Sequence, residues 1–356
     1  MVSMKILGIE SSCDETAVGI VEDGRRLLAN AVASSMDIHI QYGGVVPEIA
    51  ARSHIEAVIA VVEEALATAE CTWDDIDGIA VTYGAGLSGS LLIGVLTART
   101  LAITKSKPLY AINHVEGHVY ANFLTTTELP GYTLPTEAPQ FPMLALIVSG
   151  GHSQLVLFRD HFDYTLLGQT HDDAIGEAFD KVAKMIGLPY PGGPSVAKAA
   201  PNGNPDALQL PKARMPGKYD FSFSGVKTAT LRAAQEMCGK DFTFPSKDLP
   251  GLLNASQRDD IAASFQRVAI ETVVDKTILA YEEFSPASVV IGGGVAASQE
   301  LRRQLAERLP IAPLYTDIKL CTDNGAMIAT LGCFMMQKGQ PVADPYSLGI
   351  EPNLSM

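Results

Sequence analysis

His114 and His118 stand one helical turn apart in His114-Val-Glu-Gly-His118, after the apolar residues 109–112 and with Asn113 placed to cap a helix. On a helix, side chains at i and i+4 share a face, so both imidazoles can reach one metal ion. A pair of surface or core histidines would satisfy the same spacing. A second segment favours the metal: Pro313-Leu-Tyr315 repeats Pro108-Leu-Tyr110, and the helix after it is expected to begin near Thr322-Asp323-Asn324. Asp323 therefore falls at a helix start equivalent to that of His114 and could supply a third ligand. Two imidazoles and a carboxylate suit Fe(II) or Zn(II) and leave positions open for a substrate oxygen. Glu116 lies at i+2, about 200° around the helix from His114. It points away from the metal, unlike the glutamate of the His-Glu-x-x-His peptidases.

Within residues 172–186, Ile175, Phe179, Val182 and Ile186 form an apolar helix face, and Asp173, Glu177 and Asp180 lie nearly opposite. Such a stripe is usually solvated. Here it leads into Pro191-Gly-Gly-Pro194, whose glycines permit close approach, and carboxylates are natural acceptors for ribose hydroxyls, so a ligand-facing stripe is expected. The segment Phe221-Ser-Phe-Ser-Gly-Val-Lys227-Thr228 lacks the glycine spacing of a phosphate loop. Beside it, Lys212, Arg214 and Lys218 form a small basic island, either a phosphate-backbone contact or ordinary solvated loop charge.

The elements that must position these residues are duplicated. Ile6-Leu7-Gly8-Ile9, the polar turn Glu10-Ser-Ser-Cys-Asp-Glu15 and Thr16-Ala-Val-Gly-Ile-Val21 read as strand, turn, strand. Residues 143–148, Ser149-Gly-Gly-His-Ser153 and residues 154–158 repeat that pattern. Ile79-Ala-Val-Thr-Tyr-Gly-Ala-Gly86 before a helix at 90–102 is matched by Ser288-Val-Val-Ile-Gly-Gly-Gly294 before a helix at 298–309. Four elements repeating in order indicate two α/β halves. Their small-residue turns are expected to face each other across a cleft and to hold nucleotide phosphates through backbone N–H groups. The expected divisions are a first lobe at 1–128, a proline-rich linker at 129–142, a second lobe at 143–322, and a helix and tail at 323–356 returning towards the first lobe. Residues 187–217, with seven prolines, are expected to form a lid or substrate loop.

The 356 residues carry 40 Asp plus Glu against 26 Lys plus Arg, a net charge of -14, with 47% hydrophobic residues. This excludes a disordered chain. Five widely spaced cysteines without a Cys-x-x-Cys pair argue against a disulfide framework or a thiolate zinc site. No apolar run approaches the ~18 residues of a membrane span, and the start has no signal-peptide pattern. Residence in the cytoplasm, away from membranes, is expected. On charge alone RNA is an unexpected substrate, because nucleic-acid binders usually show a basic face.

Taken together, the motifs GIESSCDETAVGIV, GGVVPEIAARSH, HVEGH, VSGGHSQLV, DDAIGEAFDKVAKMIGLPYPGGP, FSFSGVKTA, IGGGVA and CTDNGAMIA, spread from Gly8 to Ala329, closely resemble the tRNA adenosine threonylcarbamoyltransferase (TsaD) family. That family belongs to the actin/hexokinase/Hsp70-like (ASKHA) superfamily. The resemblance implies a duplicated actin-like ATPase fold, two lobes with a nucleotide cleft between them. It also implies metal-dependent transfer of the threonylcarbamoyl group from threonylcarbamoyl-AMP to the exocyclic amino group of adenosine at tRNA position 37. One divalent metal, Fe(II) or Zn(II), is placed on His114, His118 and Asp323. ATP, AMP or threonylcarbamoyl-AMP is placed against Ile147, Val148, Ser149, Gly150, Gly151, Asp180 and Gly193, with Ser298 where relatives carry asparagine. Ala85 replaces a family proline. Glu10, Ser12, Asp14, Glu177, Gly293 and Gly294 are further candidates for the cleft, and no residue declares itself a general base. The implied partners are tRNA reading codons that start with A, a TsaB-like paralogue, a TsaE-like ATPase, and a separate synthase that supplies threonylcarbamoyl-AMP. A small-molecule kinase of the same superfamily, a metallopeptidase and a non-catalytic scaffold are the competing readings; kinases of this kind position Mg²⁺ through carboxylates and need no histidine pair. With a net charge of -14, tRNA binding by the isolated chain is expected to be weak and salt-sensitive.

Overall fold

A computed structural model of the protein describes residues 3–356. The chain divides into two compact units, one formed by residues 1–139 and 314–356 and the other by residues 140–313. The second is thus an insertion in the first, and it closes at Pro313, earlier in the chain than the expected boundary at 322.

In the first unit the strands are β1 (Lys5–Glu10), β2 (Glu15–Glu22), β3 (Arg26–Ser34), β4 (Gly78–Gly84), β5 (Leu109–Asn113) and β6 (Thr126–Thr127), in the order β5-β4-β1-β2-β3-β6. β1 pairs antiparallel with β2 and parallel with β4, and β2 pairs antiparallel with β3. The helices are α1 (Met36–Ile40), α2 (Pro47–Thr68), α3 (Ser88–Lys105) and α4 (His114–Tyr120). Strand period sorts the two faces of the sheet. Leu7, Ile9, Val18 and Ile20 point into one core with Val61, Val62, Ala65, Val95 and Ala98 of α2 and α3. The alternate positions Gly8 and Gly19 meet the helix of residues 325–337 on the other face.

In the second unit, β7 (Met143–Val148), β8 (Ser153–Asp160), β9 (Asp163–Gln169) and β10 (Ser288–Gly292) pair in the order β10-β7-β8-β9, parallel, antiparallel, antiparallel. This is the pairing of β4-β1-β2-β3 again, so the internal repeat is structural. Its helices are α5 (Ile175–Ile186), α6 (Gly192–Ala199), α7 (Ser224–Met237), α8 (Ala255–Phe284) and α9 (Gln299–Arg308). The 30-residue α8 starts at a reciprocal cap: the Asn254 side chain accepts from the Gln257 backbone N–H and the Gln257 side chain accepts from that of Asn254. The chain ends with β11 (Leu314–Tyr315), α10 (Ile318–Cys321), α11 (Gly325–Gln337) and a tail.

Residues 187–217, expected as a lid or substrate loop, are partly helical and partly irregular. They contain α6, and a Cβ at Gly203 would fall 2.1 Å from the Asp259 carbonyl oxygen, so the segment is packed against α8. All five cysteines are free thiols. No helix among the described residues is long and apolar enough to cross a membrane.

Candidate metal centre and nucleotide-type turn

Asn113 terminates β5 and caps α4, its side-chain oxygen accepting from Val115 N at 2.9 Å. This fixes where the first turn begins and puts His114 and His118 on one face, their rings 4.7 Å apart and 77° to each other. Asn324 does the same for α11, accepting from Met327 N at 2.9 Å while its amide donates to the carbonyls of Leu320 and Thr322. Asp323 is thereby set at the head of α11. Its Oδ1 lies 3.5 Å from His114 Nε2 and 3.3 Å from His118 Nε2. The ligand-type atoms of the three residues lie within 4.8 Å of one another, all inside the first unit.

The donor set fits a divalent ion. His118 is 1% exposed, and neither of its ring nitrogens has a hydrogen-bond partner among the described residues. Buried polar atoms are rarely left so, and a metal would satisfy one nitrogen directly. His114 is held by burial, which alone would lower its pKa, and by Glu10 and Asp323, whose charges together raise it to about 9.

Glu10 and Ser12, expected in the cleft, lie against His114. Both are buried. Ser11 donates to the Ser90 carbonyl, and a Cβ at Gly86 would lie 2.6 Å from the Ser12 carbonyl oxygen, so the turn after β1 is pinned from behind by the start of α3. Asp14 is 6% exposed with one carboxylate oxygen unpartnered among the described residues. Its neighbour Glu15, absent from the sequence-based set, is pushed up to about 9 by burial, with the charges of Asp323 and Asp14 adding to the effect. Glu116 is buried on the far side of α4, away from the histidine face, as its spacing requires.

In the second unit a different set converges at the end of β7. Ile147 and Val148 are wholly buried and paired in the sheet, so they support the turn from below. Ser149 closes a tight turn, with His152 N donating to its hydroxyl at 3.1 Å. A Cβ at Gly150 or Gly151 would meet nothing within 4 Å, so both glycines border open space. Gly176 N, in the first turn of α5, donates to the Ser149 carbonyl. Gly293 has φ +89 and a Cβ there would sit 2.4 Å from the Val148 carbonyl oxygen, so only glycine fits; Gly294 opens the turn that follows. The Asp180 carboxylate accepts from Gly192 N at 2.6 Å; burial raises its pKa although that bond opposes the rise. Gly193 is open.

One expectation is narrowed. The acidic stripe is not free for a ligand along its length: Asp173 precedes α5 and Lys181 bridges it at 2.6 Å and Glu177 at 2.8 Å, while Lys227 also pairs with Asp173. Only Asp180 of the three lacks a lysine partner among the described residues. In the basic island, Lys212 pairs with Glu271 and Asp275 at 2.8 and 2.7 Å and Lys218 with Glu283. Ser298 caps α9, accepting from Leu301 N at 3.4 Å.

Comparison with known proteins decides between the competing readings. The model of the family "TsaD: tRNA N6-adenosine threonylcarbamoyltransferase" matches residues 26–330. The chain belongs to this family. A tRNA N6-adenosine threonylcarbamoyltransferase of Thermomicrobium roseum is 48% identical over 343 residues, covering 94% of this chain and 93% of the relative. One from Symbiobacterium thermophilum is 47% identical over 354 residues, covering 99% and 96%. Among solved structures, full-length HypF in a phosphate- and nucleotide-bound form superposes with a TM-score of 0.58 at 12% identity, covering 94% of this chain and 47% of HypF. That likeness bears on the fold alone, an ASKHA-type duplicated α/β fold. As a member of the TsaD family, the protein is a transferase acting in tRNA modification.

Proposed function

We propose that the protein transfers a threonylcarbamoyl group from threonylcarbamoyl-AMP to the exocyclic N6 of adenosine 37 of tRNAs reading codons that start with A, with one divalent metal, Fe(II) or Zn(II), held by His114, His118 and Asp323. The observation that carries the metal is the buried His118 ring, both nitrogens without hydrogen-bond partners among the described residues and Nε2 facing Asp323 at 3.3 Å. When bound, the metal supplies positive charge where the leaving phosphate and the carbamoyl oxygen develop negative charge.

The chain's own residues supply the rest. Gly150 and Gly151, in the turn after β7, present backbone N–H groups to the acyl-adenylate phosphate, and Asp180 with Gly193 forms the ribose-side wall. N6 attacks the carbamoyl carbon, a C–N bond forms, the C–O bond to the phosphate breaks, AMP leaves and one N6 proton is lost. An aromatic amine is a weak nucleophile, so holding both substrates in line is the main contribution asked of the protein.

A TsaB-like paralogue and a TsaE-like ATPase complete the reading. Ile55 and Ile59 on α2 and Leu92 and Leu96 on α3 are 44–60% exposed at i, i+4 spacing, an apolar face suited to a paralogous helix pair. A tRNA substrate supports work in the cytoplasm, with threonylcarbamoyl-AMP delivered by a separate synthase. The test combines purified protein, threonylcarbamoyl-AMP, tRNA and both partners, with modified adenosine measured by mass spectrometry. His118→Ala should lose bound metal and transfer together, and full transfer by a metal-free variant would overturn the metal assignment.

A further inference from the structure

The two histidines of the metal centre are held differently. Among the described residues, nothing hydrogen-bonds to His118 Nδ1. His114 Nδ1, by contrast, lies 3.0 Å from Glu10 Oε2. Glu10 is itself fully buried and fully engaged: Thr82 donates its hydroxyl to Oε2 at 2.6 Å, and Ser12 N donates to Oε1 at 2.5 Å. The Ser12 hydroxyl also approaches His114 Nδ1, at 3.1 Å. Each oxygen of the carboxylate is thus oriented by a separate strand or turn, β4 on one side and the turn after β1 on the other.

A buried carboxylate in an apolar strand is costly unless it is paired, and β1 otherwise presents Ile6, Leu7 and Ile9 to the two cores. The geometry points to Glu10 as the positioning residue of the metal centre: its carboxylate holds the Nδ1–H of His114, fixes the ring plane, and leaves Nε2 as the atom that faces Asp323 and the metal. This deepens the metal assignment above and rests on it. A carboxylate behind a ligating imidazole sets its tautomer and increases its donor strength, and losing such a partner typically lowers metal affinity about 10–100-fold. His114 is therefore the oriented ligand, and His118 has no such carboxylate behind its Nδ1 among the described residues.

The test uses the full chain with Co(II) as the probe, and follows the ring proton of His114 Nδ1 by ¹⁵N-resolved NMR in metal-free and Co(II)-loaded protein. Wild type should show a slowly exchanging Nδ1–H in both states. In Glu10→Ala that proton should exchange fast in both, and the Co(II) dissociation constant should rise about 10–100-fold. Glu10→Gln, which keeps an acceptor oxygen, should fall between, and Thr82→Val should weaken binding by less than Glu10→Ala. Ser12→Ala, which removes only the second approach to Nδ1, should leave both readouts near wild type. If Glu10→Ala does not fold, Glu10→Gln and Thr82→Val carry the test. A variant series with Co(II) affinity within about threefold of wild type and an equally protected His114 proton overturns the inference. If wild type binds no Co(II), the metal assignment fails, and the ring proton in the metal-free protein still decides the role of Glu10.

Discussion

Gly8 on β1 and Ala329 on α11 are packed backbone to backbone: a Cβ at Gly8 would fall 2.2 Å from the Ala329 nitrogen. Gly19 on β2 stands in the same relation to Ala326 at 2.3 Å, and Gly325 to Gly19 at 2.1 Å. The helix therefore rests directly on the sheet, and the residue two places before it is Asp323. The position of the carboxylate proposed as third metal ligand is set by three missing side chains.

Gly19→Ala should accordingly do two things. The obstacle it meets is main chain, so the destabilisation should reach the upper end of the overpacking range, ~3 kcal/mol. Lifting the start of α11 should also weaken metal binding, although residue 19 touches no ligand. Denaturant unfolding and metal titration measure the two effects, and a variant stable but unchanged in metal affinity would contradict the coupling.

Glu116 gives the centre a pH signature in stability. Burial pushes its carboxyl up to about 7 from an ordinary 4.5. The folded chain binds this proton more tightly than the unfolded chain, so the contribution is whole below pH 4.5 and is lost as pH rises through 7. At about 1.4 kcal/mol per unit, the metal-free protein should lose roughly 3 kcal/mol across that window through this group, and Glu116→Gln should remove the dependence. Urea melts of both proteins from pH 4.5 to 8 show whether their difference grows and then levels.

Ser298 stands at the head of α9 with its hydroxyl on Leu301 N. Ser298→Ala should cost about 1 kcal/mol, while Ser298→Asn, whose longer side chain also caps, should keep the cap and tighten AMP binding. Thermal unfolding with and without AMP separates the two; equal AMP affinity in all three proteins would remove Ser298 from the nucleotide site.

Lys212 and Lys218 are already paired with Glu271, Asp275 and Glu283. Replacing both by alanine should therefore leave the salt dependence of tRNA binding by the complex unchanged, whereas two phosphate contacts would reduce its slope by roughly 2. A reduced slope would return this loop to the tRNA surface.

Much of this was legible in the residues. The duplication showed because strand, small-residue turn and strand recur in order, and the i, i+4 histidines with Asp323 showed because Asn113 reads as a cap and Pro-Leu-Tyr precedes both helices. Glu10 was visible as the charge that ends the apolar run Ile6-Leu-Gly-Ile9 but not as a partner of His114, because they are far apart in sequence and only the β1-β4-β5 order of the sheet brings them together. The ion pairs of Lys212 and Lys218 run to α8, and no local pattern signals such long-range partners. Glu177 and Lys181 could have been read, since they stand four residues apart on α5.

The insertion of residues 140–313 between α4 and α11 has a further consequence for how the protein is made. His114 and His118 leave the ribosome well before Asp323, and at roughly 5–20 residues per second the wait is on the order of 10 to 40 seconds. Throughout it, the glycine face of β1 and β2 has no α11 to cover it. The metal centre and the sheet that supports it are thus completed together, in the last stretch of synthesis, and a nascent chain halted before residue 323 holds the two histidines without the carboxylate that joins them.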